Sequence, residues 1–264
     1  STPIKSSAAS DVYKRQDVNY AEAPVQCDDD ENRLLCPRDY SKWIYGVGFT
    51  YLQGTSKLEN GGNSENWIAT ISAYAVRQWS NGAYLDLIAK ISRMDNDFTA
   101  VSDEYRYVTK GKYHTYAGLV SAEVGKKHMI TDHIYIDPQV QLALGYIKGV
   151  DYRTDNGVNV SVKGSASVVG RAGVAVGYET NKGSLYAKVD FLREFANTYR
   201  AKYTLDNGAW NKSKIKMKDS WTEAVVGGTR NFNESSYGFV QAKRSFGAEL
   251  QTKYRIDAGI RFVF

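Results

Sequence analysis

Cysteine, proline and histidine are scarce in this 264-residue chain, which has two Cys, four Pro and three His. Two cysteines cannot staple a disulfide-rich scaffold. The histidines, His114, His128 and His133, have no HExxH spacing, and the cysteines, Cys27 and Cys36, stand far from them in sequence. Neither a metal motif nor a Cys/His nucleophile is therefore expected, and no cofactor. No stretch approaches the ~18–20 uninterrupted apolar residues of a spanning helix, which excludes a helical membrane protein. There is no basic block and no interleaved aromatic platform, so nothing points to nucleic acid. The GRAG at Gly170–Gly173 lacks the following Lys-Ser/Thr and helix of a phosphate loop, and it reads as strand. The chain begins at Ser1 without a basic-then-apolar leader, so any signal peptide is expected outside this sequence.

What is present is 42% hydrophobic and 13% aromatic, with 20 Tyr and 23 Gly, enough for a sizeable core and unlike a disordered chain. Three of the four prolines (Pro3, Pro24, Pro37) and both cysteines precede Ser41, whereas all 23 glycines follow it. Residues 1–41 carry five Lys/Arg against eight Asp/Glu, including the run Asp28-Asp29-Asp30-Glu31, and read as an extension or linker. Cys27 and Cys36 there could close a short disulfide loop or remain thiols. Residues 42–264 form the patterned domain.

From Lys42 onward the dominant period is two, which is the signature of strands. In the last segment Tyr254, Ile256, Ala258, Ile260, Phe262 and Phe264 point one way, and Arg255, Asp257, Gly259 and Arg261 the other. The same sorting separates Ala83, Leu85, Leu87, Ala89 and Ile91 from Tyr84, Asp86, Lys90 and Ser92. It also separates Ile134, Ile136, Val140, Leu142 and Leu144 from Tyr135, Asp137, Gln139 and Gln141. About ten strands are legible, starting near Lys42, Asn66, Ala83, Tyr113, Asp132, Gly164, Ser184, Lys214, Ser236 and Thr252. A soluble sandwich also alternates, but its strands average ~5–6 residues, and segments such as Ser184–Tyr203 are far longer. The polar faces mix charges with Gly, Ser and Ala, as a crowded lumen does. Aromatics gather near segment ends: Trp43, Tyr45, Trp67, Trp79, Tyr84, Tyr146, Tyr178, Tyr186, Trp221, Tyr237, Tyr254 and Phe264, the pattern of interfacial girdles. The fold class read from this is all-β, an antiparallel up-and-down transmembrane barrel.

Connections alternate short and long. The short ones are Ser80–Gly82, Lys127–Thr131, Thr180–Gly183 and Asn231–Ser235. The longer ones are Ser56–Glu65, Asn96–Lys112, Gly149–Lys163, Tyr203–Ser213 and the briefer Gly247–Gln251. Outer-membrane barrels have short periplasmic turns and long outer loops, so the final strand is expected to end at Phe264 in the periplasm.

Six stretches carry a family resemblance: GAYLDLIAKISRMDNDF (Gly82–Phe98), IYIDPQVQLALGYIKG (Ile134–Gly149), VVGRAGVAVGY (Val168–Tyr178), GSLYAKVDFLREF (Gly183–Phe195), DSWTEAVVGGTRNF (Asp219–Phe232) and AKRSFGAELQTKYRIDAGIRFVF (Ala242–Phe264). In order and spacing they resemble the translocator barrel of the classical autotransporters, the type V secretion proteins of Gram-negative outer membranes. The resemblance implies a twelve-stranded barrel that helps export an N-terminal passenger, absent from this sequence. It implies that the last strand, with Tyr254, Ile256, Ala258, Ile260, Phe262 and Phe264, is the signal read by the barrel-assembly machinery. The implied partners are outer-membrane lipid, that machinery and the covalently linked passenger, with no small-molecule substrate and no enzymatic activity. The chain departs from the family in the acidic, Pro-bearing stretch that stands where a helix and two strands are expected, as a truncated or mis-joined N-terminus would give. A sheet lacking two strands would leave unpaired edges in lipid.

By alternation Arg171, Lys188, Asp190, Glu194, Glu223 and Arg261 face the lumen, as a polar conduit or as charges that neutralise one another across strands. Two other readings fit parts of the pattern. An outer-membrane hydrolase would use rim residues, of which Asp95, Asp97 and His114 are the best placed. A passive pore would need a wide lumen, which about ten to twelve strands do not leave.

Overall fold

The computed structural model describes residues 43–58, 62–101, 108–233, 236–248 and 252–262. The extension at 1–41, both cysteines and Phe264 lie outside them, and of the side chains of Arg261 and Phe262 nothing is described. The period-two segments are strands throughout. In chain order they are β1 (Trp43–Lys57), β2 (Asn63–Gln78), β3 (Ala83–Val101), β4 (Val108–Lys126), the two-residue β5 (His128–Met129), β6 (Ile134–Ile147), β7 (Val150–Arg153), β8 (Asn159–Val162), β9 (Ser165–Thr180), β10 (Gly183–Glu194), β11 (Thr198–Thr204), β12 (Trp210–Lys216), β13 (Ser220–Asn233), β14 (Ser236–Phe246) and β15 (Arg255–Phe262).

Ten of them pair antiparallel with their neighbours in the order β1-β2-β3-β4-β6-β9-β10-β13-β14-β15, an up-and-down half-barrel with β5 added against β6. Among the described residues no ladder joins β1 to β15. The tight turns sit at one end of the sheet. At Trp79–Gly82, for example, Gly82 takes φ +82°, its N–H donates to the Trp79 carbonyl at 3.0 Å, and Asn81 Oδ1 accepts from Ala83 N–H at 3.0 Å.

Burial along the strands is the reverse of that in a water-soluble sheet. Val47 is 83% exposed, Ile91 71% and Leu185 68%, while Asp190 is 1% exposed, Glu123 3% and Glu223 4%. Exposing Leu and Val while burying carboxylates and guanidinium is unfavourable in water. It is favourable when the outer face meets hydrocarbon and the inner face a polar lumen. That inversion removes the soluble-sandwich alternative.

Four expectations about the strands need correcting. Ser184–Tyr203 is not one strand. It breaks after Glu194, because the Glu194 carboxylate is drawn onto the backbone N–H groups of Val168 (2.8 Å) and Ala196 (3.1 Å), and the chain leaves the barrel sheet. The expected loops Gly149–Lys163 and Tyr203–Ser213 are instead parts of two hairpins. Their strands form a second sheet in the order β12-β11-β8-β7. Lys214 accordingly belongs to β12, and the next barrel strand starts at Ser220. The Asn96–Lys112 connection is shorter than expected, since β3 and β4 stay paired up to Val101↔Val108. There Phe98, on the inner side, lies across Gly111.

Candidate functional site

The concave face of the half-barrel collects the charged side chains. Cross-strand partners share a face, and register places Glu123 (β4), Gln141 (β6), Arg171 (β9), Leu192 (β10) and Trp221 (β13) in one row. The row beside it holds Gln139, Gly173, Asp190, Glu223 and Ser245. Arg171 bridges the rows: its guanidinium pairs with Glu123, donates to Gln139 Oε1 at 3.3 Å and lies 3.8 Å from Asp190. Lys188 Nζ is 2.8 Å from Asp190, and Lys243 Nζ is 3.1 Å from Glu223, which also accepts from Trp221 Nε1 at 3.0 Å. Three acids thus face three cations at near-complete burial. Such charges persist only because each has a partner.

Gly173 makes this crowding possible, since a Cβ there would stand 2.0 Å from Asp190 Oδ1. A second device repeats along the wall. Tyr74, Tyr84, Tyr135 and Tyr186 each lie over the glycine directly opposite on the neighbouring strand: Gly46, Gly125, Gly177 and Gly227. A Cβ at any of these glycines would fall within 2.8 Å of a ring carbon. The ring takes the place of the missing side chain, and in two of the couples the hydroxyl reaches on to the next polar group. Tyr84 donates to Asp137 at 3.3 Å and Tyr186 to Gln241 at 3.0 Å. Lys127 sits over the Tyr135 ring, 4.2 Å from its centroid.

Of the six lumen candidates, Arg171, Lys188, Asp190 and Glu223 fall into this one cluster. Glu194 lies on the same face but caps the break after β10, and it also accepts from Ser167. Arg261 pairs in register with Tyr237, and its side chain lies outside the description. Lys243 is buried against Glu223, while Arg244 is exposed over the Phe246 ring. Glu123, Asp137, Gln139 and the inward tyrosines were missed as site residues. For Tyr84, Tyr135, Asp137, Gln139 and Tyr186 the signal was present, because each shares parity with polar positions of its own strand.

The girdle expectation needs correcting at Tyr84, Tyr186, Trp221 and Tyr237. These turn inward, and Trp221 is 5% exposed, packed with Leu192 and Ala248. Proximity to a strand end gives height and not side; parity decides the side. Tyr45, Tyr146, Tyr178 and Tyr254 do lie exposed on the outer face. Of the terminal-strand set, Tyr254, Ile256, Ala258 and Ile260 share that exposed side.

The hydrolase candidates Asp95 and His114 are register partners, but they stand on the outer face of the β3–β4 hairpin. Asp95 is held by Arg93 at 3.0 Å, and Asp97 faces Lys112 at 3.9 Å. Among the described residues no cleft gathers all three, and the ion pairs to Arg93 and Lys112 make the arrangement a salt-linked rim. Among the described residues no group of three His, Cys, Asp or Glu is placed to hold a metal ion.

The second sheet packs one face over the inner side of the rim. Tyr152 stacks on Tyr113 with ring centroids 4.7 Å apart and meets Phe98 edge-on at 6.1 Å, while Val160 and Ala201 are buried beneath. Burial, then the neighbouring phenols of Tyr113 and Tyr203, push the Tyr152 hydroxyl well above its ordinary ionisation range. A small cavity of about 110 Å³ remains under this sheet, between Met94, Tyr113 and Thr115 on the barrel and Tyr199 and Met217 above.

Comparison with known proteins agrees with this geometry. Residues 38–243 match the family model described as the autotransporter beta-domain. The chain is 28% identical over 228 residues to a pertactin autotransporter of Bordetella parapertussis, covering 84% of this chain and 24% of that protein. It is 34% identical over 197 residues to the serine protease Pet autotransporter of Escherichia coli, covering 72% of this chain and 15% of that protein. The chain therefore spans about a quarter or less of the curated relatives it matches. Among solved structures, the β-domain of the Bordetella autotransporter BrkA superposes with a TM-score of 0.68 at 20% identity, covering 84% of each chain. The translocator domain of NalP from Neisseria meningitidis gives a TM-score of 0.66 at 15% identity, covering 83% of this chain and 76% of that one.

Proposed function

The chain belongs to the autotransporter β-domain family, barrels of the Gram-negative outer membrane, and from that premise we propose that it is the translocator through which a passenger segment, N-terminal to β1, reaches the cell surface. The observation that carries this reading is the inverted burial: Val47, Ile91 and Leu185 face outward while Arg171, Asp190 and Glu223 are enclosed. A lumen lined by paired charges and tyrosine hydroxyls offers a passing polypeptide hydrogen-bonding groups in place of water. The pairing also leaves no strong net charge to hold a segment fast. In this reading the wall is a passage and not a catalyst.

The tight-turn end is periplasmic and the second sheet lies on the cell surface, since outer-membrane barrels keep their long connections outside. The C-terminus then lies in the periplasm, and the exposed residues Tyr254, Ile256, Ala258 and Ile260, with Phe262 and Phe264, form the strand read by the assembly machinery. Behind an export leader, the protein is expected in carbonate-resistant outer membranes. A membrane-impermeant maleimide should label Asn207→Cys on intact cells and spare Asn81→Cys. Recovery as a stable monomer without detergent would overturn the translocator reading, and the reverse labelling would overturn the topology. Deleting Phe264, or placing Asp at Ile260, should reduce heat-modifiable barrel and surface yield, while Arg261→Gln should leave both near wild type.

A further inference from the structure

The outward face of the second sheet concentrates positive charge. Arg200 and Lys202 on β11, and Lys212, Lys214 and Lys216 on β12, are all exposed and share one face by alternation. Lys163, two residues beyond Ser161 of β8, continues it. Register sets like charges directly opposite one another: Arg200 faces Lys214, and Lys202 faces Lys212. Such pairs hold Cβ atoms ~4.5–5.5 Å apart and destabilise a sheet unless an anion lies between them. Arg153 is paired with Asp206 at 2.7 Å. Among the described residues, none of the six other cations has an acidic side chain within ion-pair distance. Trp210 stands exposed at the head of β12, with Lys212 over its ring at 4.8 Å. The opposite face of the same sheet is the one that packs on Tyr113 and Phe98. The cationic face therefore looks away from the β3–β4 wall.

We propose that this face docks the acidic run Asp28–Glu31 of the chain's own N-terminal segment, four consecutive carboxylates lying against the Arg200–Lys214 and Lys202–Lys212 pairs. Charge complementarity is one support. Reach is the other. The segment joins β1 at Trp43, at the tight-turn end, because Trp43 pairs with Arg77 next to the Trp79–Gly82 turn. From Glu31 to Trp43 an extended chain covers about 40 Å at ~3.3 Å per residue. The 15-residue β1, tilted by ~35–45°, rises about 35–40 Å. A segment running up the lumen thus delivers its acidic run to the level of the second sheet. The proposal rests on the translocator reading for that path, and it adds a defined resting place for the segment.

The test uses the full chain behind an export leader, with Cys36→Ser to leave Cys27 as the only native thiol beside the acidic run. A second thiol is placed at Lys214→Cys or, as a control at the tight-turn end, at Lys182→Cys. Surface labelling of Cys27 in the Lys214 background reports the path, and disulfide formation between Cys27 and position 214 reports docking. Heat-modifiable mobility verifies folding of each variant. The expected result is labelling of Cys27 from outside and an intramolecular disulfide to position 214 but not to 182. Its rate should fall about tenfold or more in high salt, or when Asp28–Glu31 are replaced by Asn and Gln. Labelling without the disulfide would overturn the docking and leave the path standing. A Cys27 unreachable from outside would overturn both. Disulfides only between two chains would make the occupant a second copy. Protection of the position-214 thiol by vesicles of phosphorylated lipid, whatever the acidic run, would make it lipid; either result sinks the proposal.

Discussion

The barrel sheet and the second sheet are built from the same alternation and obey opposite rules of burial. In β6 the exposed positions are Val140, Leu142 and Leu144, and the enclosed ones are Asp137 and Gln139. In β11 the exposed positions are Arg200 and Lys202, and the enclosed one is Ala201. Period two fixes that a segment is a strand with two unlike faces. The surrounding medium decides which face is turned outward, and the change of rule between β10 and β11 marks where the chain leaves hydrocarbon for water.

The contrast is sharpest where charge is removed. Arg171→Leu removes the guanidinium that pairs with buried Glu123, leaving Asp190 to Lys188, and is expected to cost about 3–5 kcal/mol, whereas Arg200→Leu on the second sheet should stay within ~0.5 kcal/mol. Urea unfolding in detergent micelles measures both. Equal losses would mean that water reaches the lumen cluster as freely as it reaches the sheet surface.

Adding charge tests the outer faces. Leu142→Arg, on the exposed side near the middle of β6, should cost about 2–4 kcal/mol of insertion free energy. Ser161→Arg on the second sheet should cost no more than about 1 kcal/mol, the like charge of Lys202 opposite it included. Refolding yield into lipid vesicles separates them.

A smaller effect is expected at the tyrosine–glycine couples. Gly177→Val drives a side chain into the Tyr135 ring and should destabilise the wall by about 1–3 kcal/mol. Combining it with Tyr135→Ala should recover part of that loss, because the clash is gone. Additive losses in the same unfolding assay would show that the ring and the glycine act independently.

The smallest effect concerns pH. The Tyr152 phenol is held neutral by burial, so its ionisation is raised in the folded sheet relative to the unfolded value of 10.0. The stabilisation this gives is fully present below pH 10.0 and declines as the pH rises toward the folded value. Hydrogen exchange of β7 and β11 should accelerate above about pH 10 before that of β6 and β9 does. Tyr152→Phe should remove the difference.

Most of the barrel was legible because each strand is long and each face is chemically uniform. The starts near Ala83, Gly164, Ser184 and Ser236 lie within a residue of the strands themselves. The break at Phe195–Asn197 was hidden because Tyr199 and Tyr203 continue to alternate with Arg200 and Lys202, and alternation is indifferent to which sheet a strand joins. The charge cluster was legible on each strand separately, as at Arg171 and Asp190. The pairing of Glu123 with Arg171 was not, since β4 and β9 are joined only through β6 and the register between them is a property of the folded wall. Trp221 misled because its place near a strand end suggested a girdle, while its parity with Glu223 pointed inward.

The tyrosine–glycine couples have a consequence for how the sequence can drift. An outer-face position such as Val140 or Leu185 answers only to lipid, and one apolar residue there exchanges for another without regard to its neighbours. A couple such as Tyr135 with Gly177 is a two-locus unit: enlarging the glycine is tolerated only after the ring has shrunk. In diverging descendants the outer face should therefore change one site at a time, while these paired positions stay fixed or change together, leaving a ladder of linked substitutions between adjacent strands of the wall.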